Sequence, residues 1–152
     1  MENIKNGIIE VDGATLNEKT SFEDLEKIEI DKAVQRFHPH GYLEVIFNHP
    51  ITKDEVEFQV SIKMKKDGTK VILLDPVMKM PIRDALDESR AKQEICEEWL
   101  KRNMEVEPTR DTDDGIFYDM SWGHIYCAAA EHLIHSDLEG GIHISYGDEI
   151  WN

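Results

Sequence analysis

The sequence predicts an α+β fold, an antiparallel sheet of about five or six strands with two main helices packed on one face. Apolar and polar residues alternate from Glu55 to Met64, which is the period of a strand with one buried face. From Asp84 to Asn103 the apolar residues recur at helical spacing. No linker or repeat divides the 152 residues, so we expect a single domain over residues 1–152.

The N-terminal third predicts one short strand and the first of the two helices. Ile8 to Val11 is a strand candidate that the turn pair Asp12-Gly13 closes. Thr20 and Glu23 have the spacing of a capping box, which marks the start of a helix. The apolar face of that helix would consist of Phe22, Leu25 and Ile28.

The middle of the chain predicts a meander of three consecutive antiparallel strands. The first runs from Tyr42 to Phe47, and the second is the alternating segment up to Met64. A turn at Lys66 to Thr69 leads into the third strand, Lys70 to Leu74. We interpret the lysine cluster at this hairpin tip as solvent-exposed; it comprises Lys63, Lys65, Lys66 and Lys70.

The C-terminal third contains strand signals and one ambiguous segment. Glu105 to Gly115 is predicted as an acidic loop, and Ile116 to Tyr118 and Ile142 to Tyr146 as strands. Trp122 to Leu133 is compatible with a strand, whereas the alanine-rich part from Ala128 onward has helix-forming composition. The β character of both flanks favours a hairpin.

Charge restricts the classes of partner. The formal net charge is −15, and residues 105–152 contain eleven Asp and Glu residues but a single basic residue, Arg110. An acidic surface of this kind repels nucleic acid and membranes and attracts a basic protein. No apolar run reaches the ~20 residues of a membrane span, and the N-terminus has no signal-peptide pattern, so we expect a cytoplasmic protein with Cys96 and Cys127 reduced and buried.

Three segments contain clusters of potential metal ligands. His38-Pro39-His40 is interpreted as a turn, and Asp111 to Gly115 fails the spacing of a calcium-binding loop. His132 and His135 lie three residues apart beside carboxylates, and they support the alternative of a metal-dependent enzyme. A regulatory domain is the other alternative. Without a complete catalytic or nucleotide-binding motif, we expect a protein that is not an enzyme and that uses no metal or cofactor.

Aromatic and acidic residues near the C-terminus predict a protein interface. Rings supply buried contact area and carboxylates steer a basic partner. The alternative is that Trp122 and Tyr146 belong to the core and that the acidic residues only increase solubility. The predicted interface comprises Asp111, Asp113, Asp114, Asp119, Trp122, Asp148, Glu149 and Trp151, with Tyr126 and Tyr146 as further candidates.

Several of these segments together resemble small acidic bacterial proteins, some of which are associated with immunity to polymorphic toxins. The matching segments are Ile8 to Asp12, Thr20 to Leu25, Trp99-Leu100, Tyr118, Trp122 to Ile125 and Ile142 to Tyr146. The resemblance implies an α+β fold without catalytic residues. It also implies that an acidic face of the chain docks on a basic toxin or effector and occludes it.

Overall fold

A long antiparallel sheet dominates the computed structural model, which describes residues 4–78, 85–130 and 140–147. The strands are β1 (Ile9–Val11), β2 (Ala14–Leu16), β3 (Ala33–His38), β4 (Tyr42–Phe47), β5 (Ile51–Lys53), β6 (Val56–Lys65), β7 (Lys70–Pro76), β8 (Arg110–Thr112), β9 (Gly115–Met120), β10 (Gly123–Ala128) and β11 (Ile142–Tyr146). The helices are a 3-10 turn (Ile4–Asn6), α1 (Phe22–Glu26) and α2 (Ala85–Asn103).

The strand order places β3 and β8 at the two ends of the sheet. Within the described residues the main sheet has nine strands in the order β3-β4-β6-β7-β11-β10-β9-β8, with β5 added beside β6. All described pairings in this sheet are antiparallel. β1 and β2 form a separate two-stranded sheet.

The predicted fold class is wrong in its strand and helix counts. The described residues form a nine-stranded and a two-stranded sheet with one main helix, α2, because α1 spans only five residues. β5 and β8 have three residues each, too few to display a period of two. β3 was missed because its apolar residues Val34 and Phe37 fall on opposite faces, so no face reads as apolar.

The predicted meander is confirmed, because β4, β6 and β7 are neighbours in sequence order. The turn at His38-Pro39-His40 is also confirmed, since Gly41 N–H donates to the His38 carbonyl at 3.0 Å. The solvent-exposed reading of Lys70 is wrong. Its buried ammonium group donates to the carbonyl oxygens of Glu18 and Thr20 and fixes the segment before α1.

The helix start was predicted one residue early. Ser21, rather than Thr20, caps α1, and its hydroxyl accepts from Asp24 N–H while Asp24 Oδ2 accepts from Ser21 N–H. Thr20 instead accepts from Asn17 N–H at 2.9 Å in the preceding turn. The motif itself is thus present, shifted by one position.

The core lies between one face of the sheet and α2, as the helical stripe predicted. Trp99 is fully buried, packs edge-on against Phe58 at 5.3 Å and donates its indole N–H to the Lys53 carbonyl. Cys96 and Cys127 are buried and free, as expected, and hydrogen bonding between them and burial raise the pKa of Cys96. None of the described helices combines the length and apolarity of a membrane span.

The ambiguous segment is a strand from Gly123 to Ala128, but its last described residue, Ala130, is helical. β10 pairs with β9 on one side and with β11 on the other, which confirms the strand interpretation for residues 123–128. The helical alternative for the alanine-rich part is correct at Ala130. The part of that segment from Glu131 to Leu133 lies outside the described residues.

Candidate protein-interaction site

The predicted acidic loop contains β8, an edge strand that joins the sheet through a tight turn. Among the described residues β8 pairs only with β9, and all three residues of β8 are exposed. Asp111 lies in β8, and Asp113 and Asp114 form the turn that leads into β9; the three carboxylates are exposed. The structure thus brings three of the predicted interface residues together on one hairpin.

The hairpin is seated against β10 through Gly115. This residue has φ +133° and lies so close to the Cys127 carbonyl and to Ala128 Cα that a Cβ atom would come within 2.9 Å of the latter. Ala129 N–H donates to the Asp114 carbonyl at 2.9 Å, which fixes the turn from the same side. The two carboxylates of the turn are therefore presented from a well-supported backbone.

Only one of the three carboxylates on this hairpin has an ionic partner in the described structure. Asp111 lies 3.8 Å from Lys101 of α2, and both side chains are more than half exposed. For Asp113 and Asp114 no ion pair occurs within residues 4–78, 85–130 and 140–147. Exposed pairs contribute little to stability, so these carboxylates stay available to a partner.

Asp119 differs from these residues because it takes part in a local network. Its Oδ1 accepts from His124 Nδ1 at 2.7 Å and from Arg110 Nη2 at 3.3 Å. Burial opposes ionisation, but these two hydrogen bonds prevail and lower the pKa of Asp119. Asp119 therefore ties β8, β9 and β10 together in addition to contributing negative charge.

Trp122 and Tyr146 attach the N-terminal segment to the sheet. The indole N–H of Trp122 donates to the Lys5 carbonyl at 2.8 Å, and the hydroxyl of Tyr146 donates to the Gly7 carbonyl at 2.6 Å. The two rings are in contact, with centroids 5.5 Å apart, and both are partly buried. These contacts give Trp122 a structural role, which it would keep even if it also took part in an interface.

Tyr126 is part of the interior. It stacks between Phe117 and His143, with ring centroids 5.7 and 4.8 Å away. It is 1% exposed, and burial raises the pKa of its phenol. Burial also lowers the pKa of His143 to about 4, assisted by the nearby Lys63 ammonium.

The structure describes Asp111 to Gly115, the segment compared with a calcium-binding loop, but not the two histidines of the metal hypothesis. No group of three or more His, Cys, Asp or Glu side chains is arranged as a metal site in the described part of the chain. His132 and His135 lie outside that part, as do three predicted interface residues, Asp148, Glu149 and Trp151. The metal hypothesis and these three assignments therefore stay predictions.

Sequence reasoning missed the residues that support the acidic hairpin. Arg110, His124 and Lys101 each contact one of the predicted carboxylates. A histidine and a carboxylate opposite each other on paired strands give a signal only once the register is known, and β10 pairs His124 with Asp119.

Comparison with protein-family models, with curated proteins and with solved structures finds no match for this chain.

Proposed function

We propose that this chain is an immunity or inhibitor protein that binds a basic toxin or effector and occludes its working surface. The observation that carries the proposal is the exposed edge strand β8, whose hairpin presents Asp111, Asp113 and Asp114 without burying any of their carboxylates. Exposed carboxylates on a fixed backbone favour rapid, charge-steered association with a basic surface.

The proposed mechanism involves no covalent chemistry. The partner approaches along the electrostatic field of the acidic hairpin, and the bulk of the sheet then blocks access to its active surface. The same charge disfavours nucleic acid, whose phosphates it would repel. A cytoplasmic location and action without a cofactor or enzymatic activity belong to the same proposal.

The contacts of Trp122 limit its part in the proposed interface. Because Trp122 is engaged by Lys5 and Gly7, we assign it to the support of the acidic surface. Trp151, with the acidic residues Asp148 and Glu149, stays the candidate for an aromatic anchor. This division predicts that Trp151, and not Trp122, contributes directly to the affinity for the partner.

Capture from native lysate tests the proposal. The tagged chain is applied to lysate at low salt, eluted with rising salt, and compared with the triple variant Asp111→Asn, Asp113→Asn, Asp114→Asn. A matched variant, Glu10→Gln, Glu26→Gln, Glu29→Gln, removes the same number of exposed carboxylates elsewhere. We expect one basic protein, retained by the wild type and the matched variant and bound about tenfold more weakly by the hairpin variant.

Co-expression distinguishes inhibition from binding alone. The captured protein should impair growth when expressed by itself, and the wild-type chain should relieve that effect more than the hairpin variant does. Equal retention by all three forms would reject the hairpin as the recognition surface. A captured protein that is harmless, or that is acidic, would reject the inhibitor function.

A further inference from the structure

The opposite edge of the sheet, β3, is longer and more apolar than β8. β3 has six residues, and its Phe37 and Val34 are 59% and 46% exposed. Together with Ile30, just before the strand, they account for three of the five large apolar side chains that are exposed in the described residues. An exposed apolar edge is a template for a further strand.

The backbone groups that are open on this edge can be identified from the register. Asn48 N–H donates to the Lys32 carbonyl, and the pairing of β3 with β4 continues that register. Hydrogen-bonded pairs alternate in an antiparallel ladder, so the N–H and C=O groups of Ala33, Gln35 and Phe37 point away from β4. Ala33 N–H is already used by the Glu29 carbonyl at 3.3 Å.

Gln35 and Phe37 thus provide the open groups of the edge. Their backbone N–H and C=O groups have no partner among the residues that the structure describes. In a two-fold antiparallel pairing of β3 with itself, only one register uses all of them. It places Gln35 opposite Phe37 of the second copy and forms four hydrogen bonds, with Arg36 on the two-fold axis.

The charge distribution permits this pairing at one end of the molecule. The acidic hairpin at β8 lies at the other end of an eight-strand path, about 30 Å away at about 4.8 Å per strand. That separation exceeds the screening length of about 8 Å at physiological salt. The charges beside β3 include Arg36, Lys66, whose Nζ lies 5.8 Å from the centroid of the Phe37 ring, and the buried Glu44, which is paired with His38 at 2.9 Å.

We propose that the β3 edge is a self-association surface, where two copies pair their β3 strands antiparallel with Arg36 facing Arg36 on the axis. The directly opposed arginines weaken the dimer, because like charges opposite each other in a ladder repel. Arg36 therefore acts as the residue that limits how tightly the edge pairs. The dimer leaves both acidic hairpins free at its two outer ends, and it does not depend on the proposed inhibitor function.

Sedimentation with charge variants at position 36 tests the pairing. The wild type should form a reversible dimer that strengthens with salt, because screening reduces the repulsion between the two acidic copies. Arg36→Ala should bind its own copy several-fold more tightly than the wild type does. In an equal mixture of wild type and Arg36→Glu, heterodimers should make up more than the half of all dimers that random pairing would give.

A substitution that blocks the edge provides the control. Val34→Lys changes an exposed side chain on β3 and adds a charge that opposes strand addition, so it should yield a folded monomer, with circular dichroism verifying the fold. Monomers of wild type and Arg36→Ala at every concentration would overturn the proposal. A different protein bound at this edge, lost in Val34→Lys while no dimer forms, would overturn it as well.

Cysteine cross-linking tests the register separately. Arg36→Cys places two thiols opposite each other with Cα atoms about 4.5 Å apart, within the range of a disulfide. Gln35→Cys places them about 8 Å apart, beyond that range. The native cysteines are buried, so a covalent dimer of Arg36→Cys alone supports the pairing. A covalent dimer of Gln35→Cys alone would reject it.

Discussion

The two edges of the main sheet expose different chemistry. β8 has three residues, all exposed, and carries Asp111 beside a turn of two further carboxylates. β3 has six residues and exposes Val34 and Phe37, with Arg36 as its single permanently charged side chain. Short length and charge protect an edge from strand addition, whereas length and apolar side chains invite it. One sheet therefore has one edge suited to charge-steered recognition and one suited to strand pairing.

The largest effect on the free energy of unfolding is expected from a glycine substitution that disturbs how the β8 hairpin packs on the sheet. Gly115→Ala should lower the free energy of unfolding by about 3 kcal/mol, because its Cβ would overlap the Cys127 carbonyl at an unfavourable φ. Gly41→Ala, in the β3–β4 turn, meets no atom within 4 Å and has only its φ of +89° to accommodate, so about 1 kcal/mol is expected. Urea unfolding measures both, and equal losses would contradict the tight seating of the β8 hairpin.

A buried histidine in β11 should make the stability depend on pH. The unfolded chain binds a proton at His143 near pH 6.5, but the folded chain does so only near pH 4. The unfolded state thus binds more protons between these values, and stability falls as pH is lowered from 6.5 toward 4, by about 3 kcal/mol in total.

A variant isolates this pH dependence. His143→Phe should flatten the slope of unfolding free energy between pH 6.5 and 4.5 relative to the wild type. Urea unfolding at several pH values provides the slopes. An unchanged slope in His143→Phe would show that the histidine is not held neutral by burial.

The role of Trp122 distinguishes support from direct recognition. Trp122→Phe keeps an aromatic ring and removes the indole donor to the Lys5 carbonyl, so we expect a loss of about 1.5 kcal/mol in unfolding free energy. Because the account assigns Trp122 to support, affinity for the captured partner should be unchanged. A large loss of affinity with little loss of stability would reassign it to the interface.

The smallest effect concerns the segment between α2 and β8. Glu105 has φ +60°, and its exposed carboxylate pairs with Lys5 at 2.7 Å. Glu105→Gly should raise the unfolding free energy by about 1 kcal/mol, because glycine adopts this conformation without strain. Glu105→Ala removes the ion pair without relieving the backbone and should be no more stable than the wild type. Stabilisation by both variants would refute the backbone argument.

The sequence predicted those elements whose pattern is long enough to repeat. The alternation through Val60 and Ile62 and the helical stripe that includes Trp99 identified β6 and α2, because burial on one side imposes the period directly. Three-residue strands such as β8 impose no period. They depend on pairing with distant residues, which no local pattern encodes.

The negative charge of the candidate site could be predicted from the sequence, but the contacts that hold the site in place could not. The acidic residues of the β8 hairpin are evident in the sequence, and exposure was the natural expectation for them. The engagement of Trp122 with Lys5 joins residues 117 positions apart. Such contacts follow from the order of the strands in the sheet, which no local pattern in the sequence reveals.

Analytical ultracentrifugation of the chain with its captured basic partner, at low and at high salt, tests the division of tasks between the edges most directly. The account predicts that rising salt releases the partner from β8 while the dimer at β3 persists or strengthens. It also predicts that the carboxylate variant of the hairpin loses the partner and keeps the dimer. Release of partner and second copy at the same salt concentration, or equal partner affinity in wild type and variant, would contradict it.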